Sequence, residues 1–316
     1  MSTFTVNTWS MFLLSDGSTD VDFRHSHSIK TDTIFTIPAI PAIPHNICNH
    51  IFNGNVGAPV HKKLQNGAKV LEFGCETAIW TTEVAAEFPD SEFYAVDYTI
   101  SSDSSDNNNN NVTFIECDIL KKKLPFPDNE FDYIFSRDKS VIFGKDYFHD
   151  VLSELLRVLK PEGWLEIGYS CAPGRNFSPA LGRLLFGLFS WAKLHNIDTN
   201  LMTNFESHLK ETGKVEIVDQ QVTQITSRAD YYFGEVAREN ALSYFNLTKD
   251  VMAPFMKMTF EEFDILLKDI ENEMRQDDGV VLQQKRVFAK KKNEIMHTVE
   301  PYRLSLKRQQ SNKENF

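Results

Sequence analysis

A short apolar run that ends in an acidic residue and is followed by a glycine constrains this chain most. Residues 69–78 read KVLEFGCETA, with Glu72 closing the run and Gly74 two residues later. This order predicts a buried strand, a tight turn and a helix that begins near Trp80, an arrangement with which doubly wound α/β domains hold a nucleotide-like ligand. Gly74 has no Cβ, so the backbone can pass close to a ligand. The Glu72 carboxylate can accept hydrogen bonds from an amine or from hydroxyls.

The sequence downstream continues this pattern of strands and helices. A second predicted strand, 92–96, ends in Asp97, and an acidic residue at that point of such a sheet binds a ribose diol. The series continues with a strand at 112–116, a fourth strand that ends near Arg137, a helix at 146–159, a turn at 160–163 and a fifth strand at 164–169. This alternation is typical of a doubly wound α/β sheet. A dehydrogenase reading is disfavoured because the dinucleotide fingerprint G-x-G-x-x-G is absent from the first turn.

Five segments in order give a resemblance to a known family. VLEFGCETA, EFYAVDY, FIECDI, LPFPDNEFDYIFSR and LLRVLKPEGWLEIGY resemble the core of a class I S-adenosylmethionine-dependent methyltransferase, over residues 69–170. The segments at 52–60, 232–241, 258–263 and 280–284 resemble those of the LaeA-like and UMTA-like fungal methyltransferases. In all, the resemblance covers roughly residues 45–292.

The resemblance implies a fold, a cofactor and a set of binding residues. The fold is an α/β, Rossmann-like, doubly wound sheet of seven strands in the order 3-2-1-4-5-7-6, with a helical cap inserted before the last strand. The cofactor is S-adenosyl-L-methionine. The implied cofactor-binding residues are Glu72 and Gly74 at the methionine part, Asp97 at the ribose, Asp118 and Ile119 at the adenine, Arg137 toward the methyl group, and Cys75 and Tyr98 beside them. No catalytic base is identified, and two alternatives stay open: Asp118 as a turn cap and Arg137 as a surface ion pair.

The chain departs from the family pattern in its glycine loop. Glu76 and Ala78 stand where the family usually carries its second and third glycines. Three interpretations of Glu76 remain open: it faces solvent, it contacts or screens the charged part of the cofactor, or it impairs cofactor binding. The last interpretation makes the chain a non-catalytic binding or regulatory protein that keeps the fold.

Charge and cysteine content limit the partners. The 316 residues carry 33 Lys and Arg against 44 Asp and Glu, a net charge of −11, which disfavours nucleic acid and anionic membranes. We therefore expect a small-molecule substrate, with a protein substrate as the alternative. The four cysteines form no C-x-x-C pair, and the segment 45–50, which contains two histidines and a cysteine, has no second cluster to complete a zinc site. Free thiols and the lack of a signal peptide favour a cytoplasmic location, and a late basic cluster leaves a nuclear one open.

The predicted organisation has three parts. Residues 1–44 are a low-complexity, disordered segment, residues 45–292 form the methyltransferase domain, and residues 293–316 are a basic flexible tail. Within the domain, 69–170 is the core and 171–292 contains the cap and last strands, while 101–111 is a flexible insertion.

Two regions of the cap are predicted to be helical. The segment from Pro179 is an apolar helix, and periodicity within 229–276 places one apolar face on Phe260, Phe263, Leu266, Leu267 and Ile270. Six aromatic residues of the cap suit an apolar or aromatic acceptor, and they suit an ordinary hydrophobic core equally well. They are Phe186, Phe189, Trp191, Tyr231, Tyr232 and Phe233.

Overall fold

The computed structural model describes residues 45–100, 110–118, 123–138, 145–171, 178–195, 205–276 and 281–293. The predicted N-terminal segment, most of the insertion at 101–111, almost all of the C-terminal tail and Ile119 lie outside these residues. The predicted domain boundaries therefore stay predictions.

The described residues form seven strands and nine helices. The strands are β1 (Lys69–Phe73), β2 (Glu92–Asp97), β3 (Val112–Glu116), β4 (Phe131–Arg137), β5 (Leu159–Cys171), β6 (Val215–Thr226) and β7 (Val281–Lys291). The helices are α1 (His45–Ile51), α2 (His61–Gln65), α3 (Ile79–Glu87), α4 (Lys145–Val158), α5 (Pro179–Leu194), α6 (Phe205–Glu211), α7 (Gly234–Leu247), α8 (Lys249–Phe255) and α9 (Phe260–Met274).

One sheet has the strand order β3-β2-β1-β4-β5-β7-β6, which confirms the predicted Rossmann-like fold. Strands β1 to β5 pair in parallel, whereas β7 lies antiparallel between β5 and β6. Phe73 pairs with Val96, and Asp97 pairs with Glu116. The carboxyl ends of β1, β2 and β3 therefore meet at one edge of the sheet, the edge at which such folds bind ligands.

Helices cover both faces of the sheet, which explains why its central strands are apolar almost throughout. One face packs with α4 and α6 around Leu71, Ile134 and Leu165. The other face packs with α2 and α3 around Val70, Trp80 and Phe135. The Trp80 ring stacks on Phe135 with a centroid separation of 4.0 Å, and this contact fixes the start of α3 over β4.

The predicted turn at 160–163 lies inside β5. Leu159 already pairs with Phe131, and regular pairing resumes only where Trp164 meets Tyr133. Pro161 has no N–H to donate to the ladder, and Glu162 has a φ of +61°, so the chain bulges between the two paired stretches. The strand therefore begins earlier than the sequence predicted.

The cap has a hydrophobic core of its own, separate from the two layers on the sheet. Helices α5, α7, α8 and α9 contribute to it. Its α9 stripe consists of Phe263, Leu266, Ile270 and Met274, all buried. Phe260 was predicted on this face, and that prediction is wrong: it is the first residue of the helix, it is 47% exposed, and the Lys249 ammonium lies 5.2 Å from its ring centroid.

The aromatic residues of the cap divide between core and surface. Trp191 is buried in the cap core, and Phe189 packs against that core. Phe186 and Tyr232 are 76% and 87% exposed, and Tyr231 is also exposed. The ordinary-core alternative therefore holds for Trp191 and Phe189. In the part of the chain that the structure describes, no helix is both long and apolar enough to cross a membrane.

Candidate functional site

The first acidic residue predicted for the site, Glu72, lies in β1 and is buried. Its Oε2 accepts hydrogen bonds from the Thr81 backbone N–H at 3.1 Å and the Thr81 hydroxyl at 2.5 Å. Burial raises the pKa of Glu72 to about 7, although the bonds from Thr81 favour the charged form. Sequence reasoning missed Thr81, whose only signal is a hydroxyl in the first turn of the helix after the loop.

The second acidic residue, Asp97, ties the loop after β1 to the end of β2. Its Oδ2 accepts the backbone N–H of Glu76 at 2.9 Å, and its Oδ1 accepts that of Tyr98 at 2.7 Å. The backbone N–H groups of Gly74 and Cys75 both donate to the carbonyl of Val96, at 2.8 and 3.3 Å. Each carboxylate oxygen has a second lone pair, so Asp97 can still accept from a diol.

The loop keeps a glycine-type backbone at all three family glycine positions. Gly74 has a φ of +76°, Glu76 of +54° and Ala78 of +53°. The left-handed conformation costs a residue with a Cβ roughly 1–2 kcal/mol. The loop thus has the conformation that glycines would favour, held in part by the bond from Glu76 to Asp97. The loop therefore keeps a glycine-type shape although two of the three positions carry a Cβ.

We expect Glu76→Gly to raise the free energy of unfolding by about 0.5–1 kcal/mol, because glycine removes the left-handed strain and its greater freedom in the unfolded chain offsets part of that gain. Chemical denaturation measures this, and Ala78→Gly is the matched variant with the same sign. A loss of stability in Glu76→Gly alone would show that contacts of the Glu76 side chain outweigh the strain.

Titration of the same variant with S-adenosylhomocysteine separates the three interpretations of Glu76. Tighter binding than in the parent indicates crowding, weaker binding indicates a contact with the cofactor, and equal binding indicates a solvent-facing side chain.

The pKa of Glu72 makes stability depend on pH. The folded carboxyl holds its proton up to about pH 7, whereas in the unfolded chain it loses the proton near its ordinary pKa of 4.5. The folded state thus binds more protons between these values, and its stability falls as pH rises through that window, by on the order of 3 kcal/mol. We expect Glu72→Gln to flatten this fall and to be more stable than the parent at pH 8. Urea unfolding of both proteins at about pH 5 and about pH 8 measures it; parallel curves would contradict it.

The remaining predicted residues surround this edge. Cys75 is buried under the loop and Tyr98 is exposed. The Cys117 N–H donates to the carbonyl of Asp97 at 2.8 Å, which sets the next residue, Asp118, beside the end of β2. Asp118 is half-buried. Cys75 and Cys117 are not in disulfide bonds.

Arg137 ends β4 and contacts α1. Its two terminal nitrogens lie 3.3 and 3.4 Å from Nδ1 of His45, and Nε2 of His45 lies 2.9 Å from Glu83. Burial lowers the pKa of His45, so the ring is neutral and its Nδ1 accepts from the guanidinium while Nε2–H donates to Glu83. The stem of Arg137 crosses Gly168, where a Cβ would come within 3.3 Å of its Cγ. Arg137 is therefore half-buried and held between α1 and β5.

Sequence reasoning missed Asp138, the residue directly after β4. It is 6% exposed and has a left-handed φ of +55°. Its Oδ1 accepts from the Ser170 N–H at 2.8 Å and the Ser170 hydroxyl at 3.0 Å. Its Oδ2 is buried and has no hydrogen-bond partner in the part of the chain that the structure describes. The only sequence signal was an acid at a strand end.

The segment between α1 and α2 is fastened to the sheet by a buried carboxylate. Oε2 of Glu166 accepts the N–H groups of Gly57 and Ala58, at 3.0 and 2.9 Å, and the hydroxyl of Tyr133, at 2.8 Å. Nε of Arg286 lies 3.5 Å from the other oxygen. The indole N–H of Trp80 donates to the Asn55 carbonyl at 2.8 Å. These bonds position α1, and with it His45, over the carboxyl end of β4.

The side chains that could bind a metal ion are the next feature of this edge. Among the residues described, no group of three or more His, Cys, Asp or Glu side chains could hold a metal ion. His45, the first residue of the histidine-containing segment, instead contacts Arg137 and Glu83.

Comparison with known proteins agrees with this geometry. Residues 70–163 match the sequence profile of a family described as a methyltransferase domain. The chain is 34% identical over 111 residues to a demethylmenaquinone methyltransferase of Anoxybacillus flavithermus, covering 32% of this chain and 44% of that protein. It is 32% identical over 109 residues to the enzyme of the same name from Staphylococcus carnosus, covering 32% and 42%. The match thus spans less than half the length of these relatives.

A solved structure has a similar arrangement over more of the chain. Phosphoethanolamine N-methyltransferase 2 of Haemonchus contortus, in complex with S-adenosyl-L-methionine, is 19% identical, with a TM-score of 0.43, over 77% of this chain and 55% of that one. Residues 70–163 therefore carry the sequence signature of a methyltransferase domain, on a sheet with the strand order expected of one.

Proposed function

We propose that this chain, which carries a methyltransferase domain, transfers a methyl group from S-adenosyl-L-methionine to a small molecule. One observation supports the proposal most strongly: Asp97, at the end of β2, binds the backbone of the glycine-type loop that follows Glu72. Asp97 and the loop after Glu72, which the resemblance assigns to the cofactor, are thus hydrogen-bonded to each other. The non-catalytic alternative rested on Glu76 and Ala78, and both adopt the backbone conformation that the missing glycines would adopt.

The donor set fits this cofactor. Glu72 would supply a buried carboxylate to the ammonium of the methionine part, and Asp97 would accept hydrogen bonds from the ribose hydroxyls. Gly74 leaves the backbone open between them. By the resemblance, Asp118 and Ile119 would contact the adenine, Ile119 lying outside the described residues, and Cys75 and Tyr98 complete the implied set. The bound cofactor would supply the electrophilic methyl group, whose transfer needs no metal.

The chain itself contributes position and exclusion of water. Helix α1 lies against the carboxyl end of β4 through the contact between His45 and Arg137, so it can close one side of the site. Arg137, held by His45 and by its passage over Gly168, presents a fixed positive charge at that end. Orientation of two reactants in this way accounts for much of the acceleration of a displacement reaction.

The nature of the acceptor is inferred from charge and from the relatives. The net charge of −11 disfavours polyanions. The two relatives are named for a quinone methyltransferase activity on a small molecule, and a small-molecule acceptor is accordingly favoured over a protein. The narrower likeness to LaeA-like and UMTA-like enzymes is part of the proposal, and it rests on the sequence segments 52–60, 232–241, 258–263 and 280–284.

Label transfer tests the acceptor class. The protein is incubated with cofactor carrying a radiolabelled methyl group and with separate pools of small molecules, protein and RNA from a cell extract. We expect label in the small-molecule pool, and its loss with Asp97→Ala but not with the exposed-surface variant Asp90→Asn. Label mainly in protein or RNA would contradict the small-molecule acceptor, and no label in any pool would favour the non-catalytic alternative.

A further inference from the structure

Asp138 has a carboxylate oxygen that the fold leaves unused. Its Oδ1 is satisfied twice by Ser170, whose hydroxyl in turn accepts from Nε2 of Gln284 at 2.6 Å. Its backbone N–H donates to the carbonyl of Gly168 at 2.8 Å. Oδ2 of Asp138 has no hydrogen-bond partner among the described residues, although the side chain is buried. An unsatisfied buried polar atom is costly, and each one therefore calls for an explanation.

The backbone of Asp138 is also strained. Its φ of +55° is left-handed, a conformation that L-residues adopt at a cost and that concentrates at sites of function. Two residues of β5 hold Asp138: Ser170 donates twice to its Oδ1, and Gly168 accepts its backbone N–H. Gln284 of β7 in turn donates to the Ser170 hydroxyl, so the carboxylate is held in place before any ligand arrives.

Asp138 lies at the carboxyl end of β4, directly after Arg137, whose guanidinium contacts His45 of α1. Burial raises the pKa of Asp138, the Arg137 charge opposes this effect, and the Glu76 charge, from the loop that would wrap the cofactor, adds to it. Asp138 therefore stands at the end of the sheet over which α1 is positioned.

We propose that Oδ2 of Asp138 accepts the hydrogen bond and then the proton of the attacking N–H or O–H group of the methyl acceptor, an inference that rests on the proposed function. In that step the acceptor atom bonds to the methyl carbon, and the electron pair of the broken carbon–sulfur bond stays on sulfur. The proton of the acceptor passes to Asp138, which becomes neutral, and the positive charge of the sulfonium is lost. Asp138 is then the catalytic base, which the sequence analysis did not identify. The proposal also requires that the acceptor carries an amine or a hydroxyl.

An amine analogue of the cofactor tests this without knowledge of the acceptor. In sinefungin an amine on carbon replaces the methyl-bearing sulfur, so its ammonium points where the methyl group would go, whereas S-adenosylhomocysteine has nothing there. We expect Asp138→Asn to weaken sinefungin about tenfold and S-adenosylhomocysteine less than about twofold, by calorimetric titration. Asparagine is the suitable substitution because it tolerates the left-handed backbone. Asp90→Asn, exposed in a surface turn, is the matched control and should change neither affinity.

The outcomes are distinguishable. Selective loss of sinefungin binding supports the proposal, whereas equal losses for both ligands, or no loss, overturn it. Failure of the parent protein to bind S-adenosylhomocysteine would instead remove the proposed function itself. Should Asp138→Asn not fold, Ser170→Ala decides: without the Ser170 hydroxyl the carboxylate of Asp138 is held less firmly, so sinefungin should again lose more affinity than S-adenosylhomocysteine. Equal losses for the two ligands, or no loss, in Ser170→Ala would overturn the proposal.

Discussion

Replacing Asp97 with alanine should weaken S-adenosylhomocysteine binding roughly tenfold to hundredfold, equivalent to about 1.5–3 kcal/mol. Two losses combine in this variant. The ribose hydroxyls lose a charged acceptor, and the backbone N–H of Glu76 loses the carboxylate that holds the loop in its glycine-type conformation. Calorimetric titration of parent and variant measures the change.

The control for this prediction separates a local effect from unfolding. Asp90→Ala removes an exposed aspartate at the opposite end of β2 and should leave the affinity unchanged. A thermal melt of Asp97→Ala should show that it still folds cooperatively. Unchanged affinity in a folded Asp97→Ala protein would exclude Asp97 from the binding site.

Replacing Glu166 with glutamine should destabilise the protein by about 3–5 kcal/mol, because one partner of a buried ion pair is lost while the other stays buried. The carboxylate is fully buried, and Arg286 beside it is 2% exposed. Its guanidinium also lies 4.3 Å from the ring centroid of Phe52, in the segment that Glu166 fastens. Urea unfolding measures this loss of free energy. In a thermal melt, the melting temperature of the variant should be lower than that of the parent by roughly 10 °C.

A matched control exists on the edge strand. Glu216→Gln removes an exposed glutamate from β6 and should change stability by less than about 0.5 kcal/mol. A Glu166→Gln protein as stable as Glu216→Gln would show that the buried pair does not hold the segment 52–60. Loosening of that segment should also weaken the contact between His45 and Arg137, since both depend on the placement of α1.

The sheet could be predicted because its signals are local. The apolar runs at β1, β2 and β4 end in a charged or polar residue, and this pattern alone identifies buried parallel strands and their order along the chain. The start of β5 was misplaced because Leu159 pairs before a bulge that only tertiary hydrogen bonding reveals. Phe260 was misplaced because periodicity does not say where on a helix the packing begins.

The candidate site was predicted only in part. Glu72, Asp97 and Arg137 were found because they stand at strand ends. Thr81, His45 and Asp138 were missed because their roles depend on contacts between residues far apart in sequence, such as the 92 positions between His45 and Arg137. The backbone conformation of Glu76 could not be predicted from the sequence. A glutamate at a family glycine position suggests that the glycine conformation is lost, but the backbone of Glu76 keeps a left-handed, glycine-type φ.

The most direct measurement is a calorimetric titration of the full chain with S-adenosylhomocysteine. The proposed function predicts one site with a dissociation constant of about 1–100 µM, since strain at Glu76 and Ala78 costs little once the loop is formed. It also predicts tighter binding as pH rises toward about 7, where Glu72 loses its proton and can accept from the ligand's ammonium. The absence of binding heat up to about 1 mM at any pH, with the protein shown to be folded, would contradict the central claim.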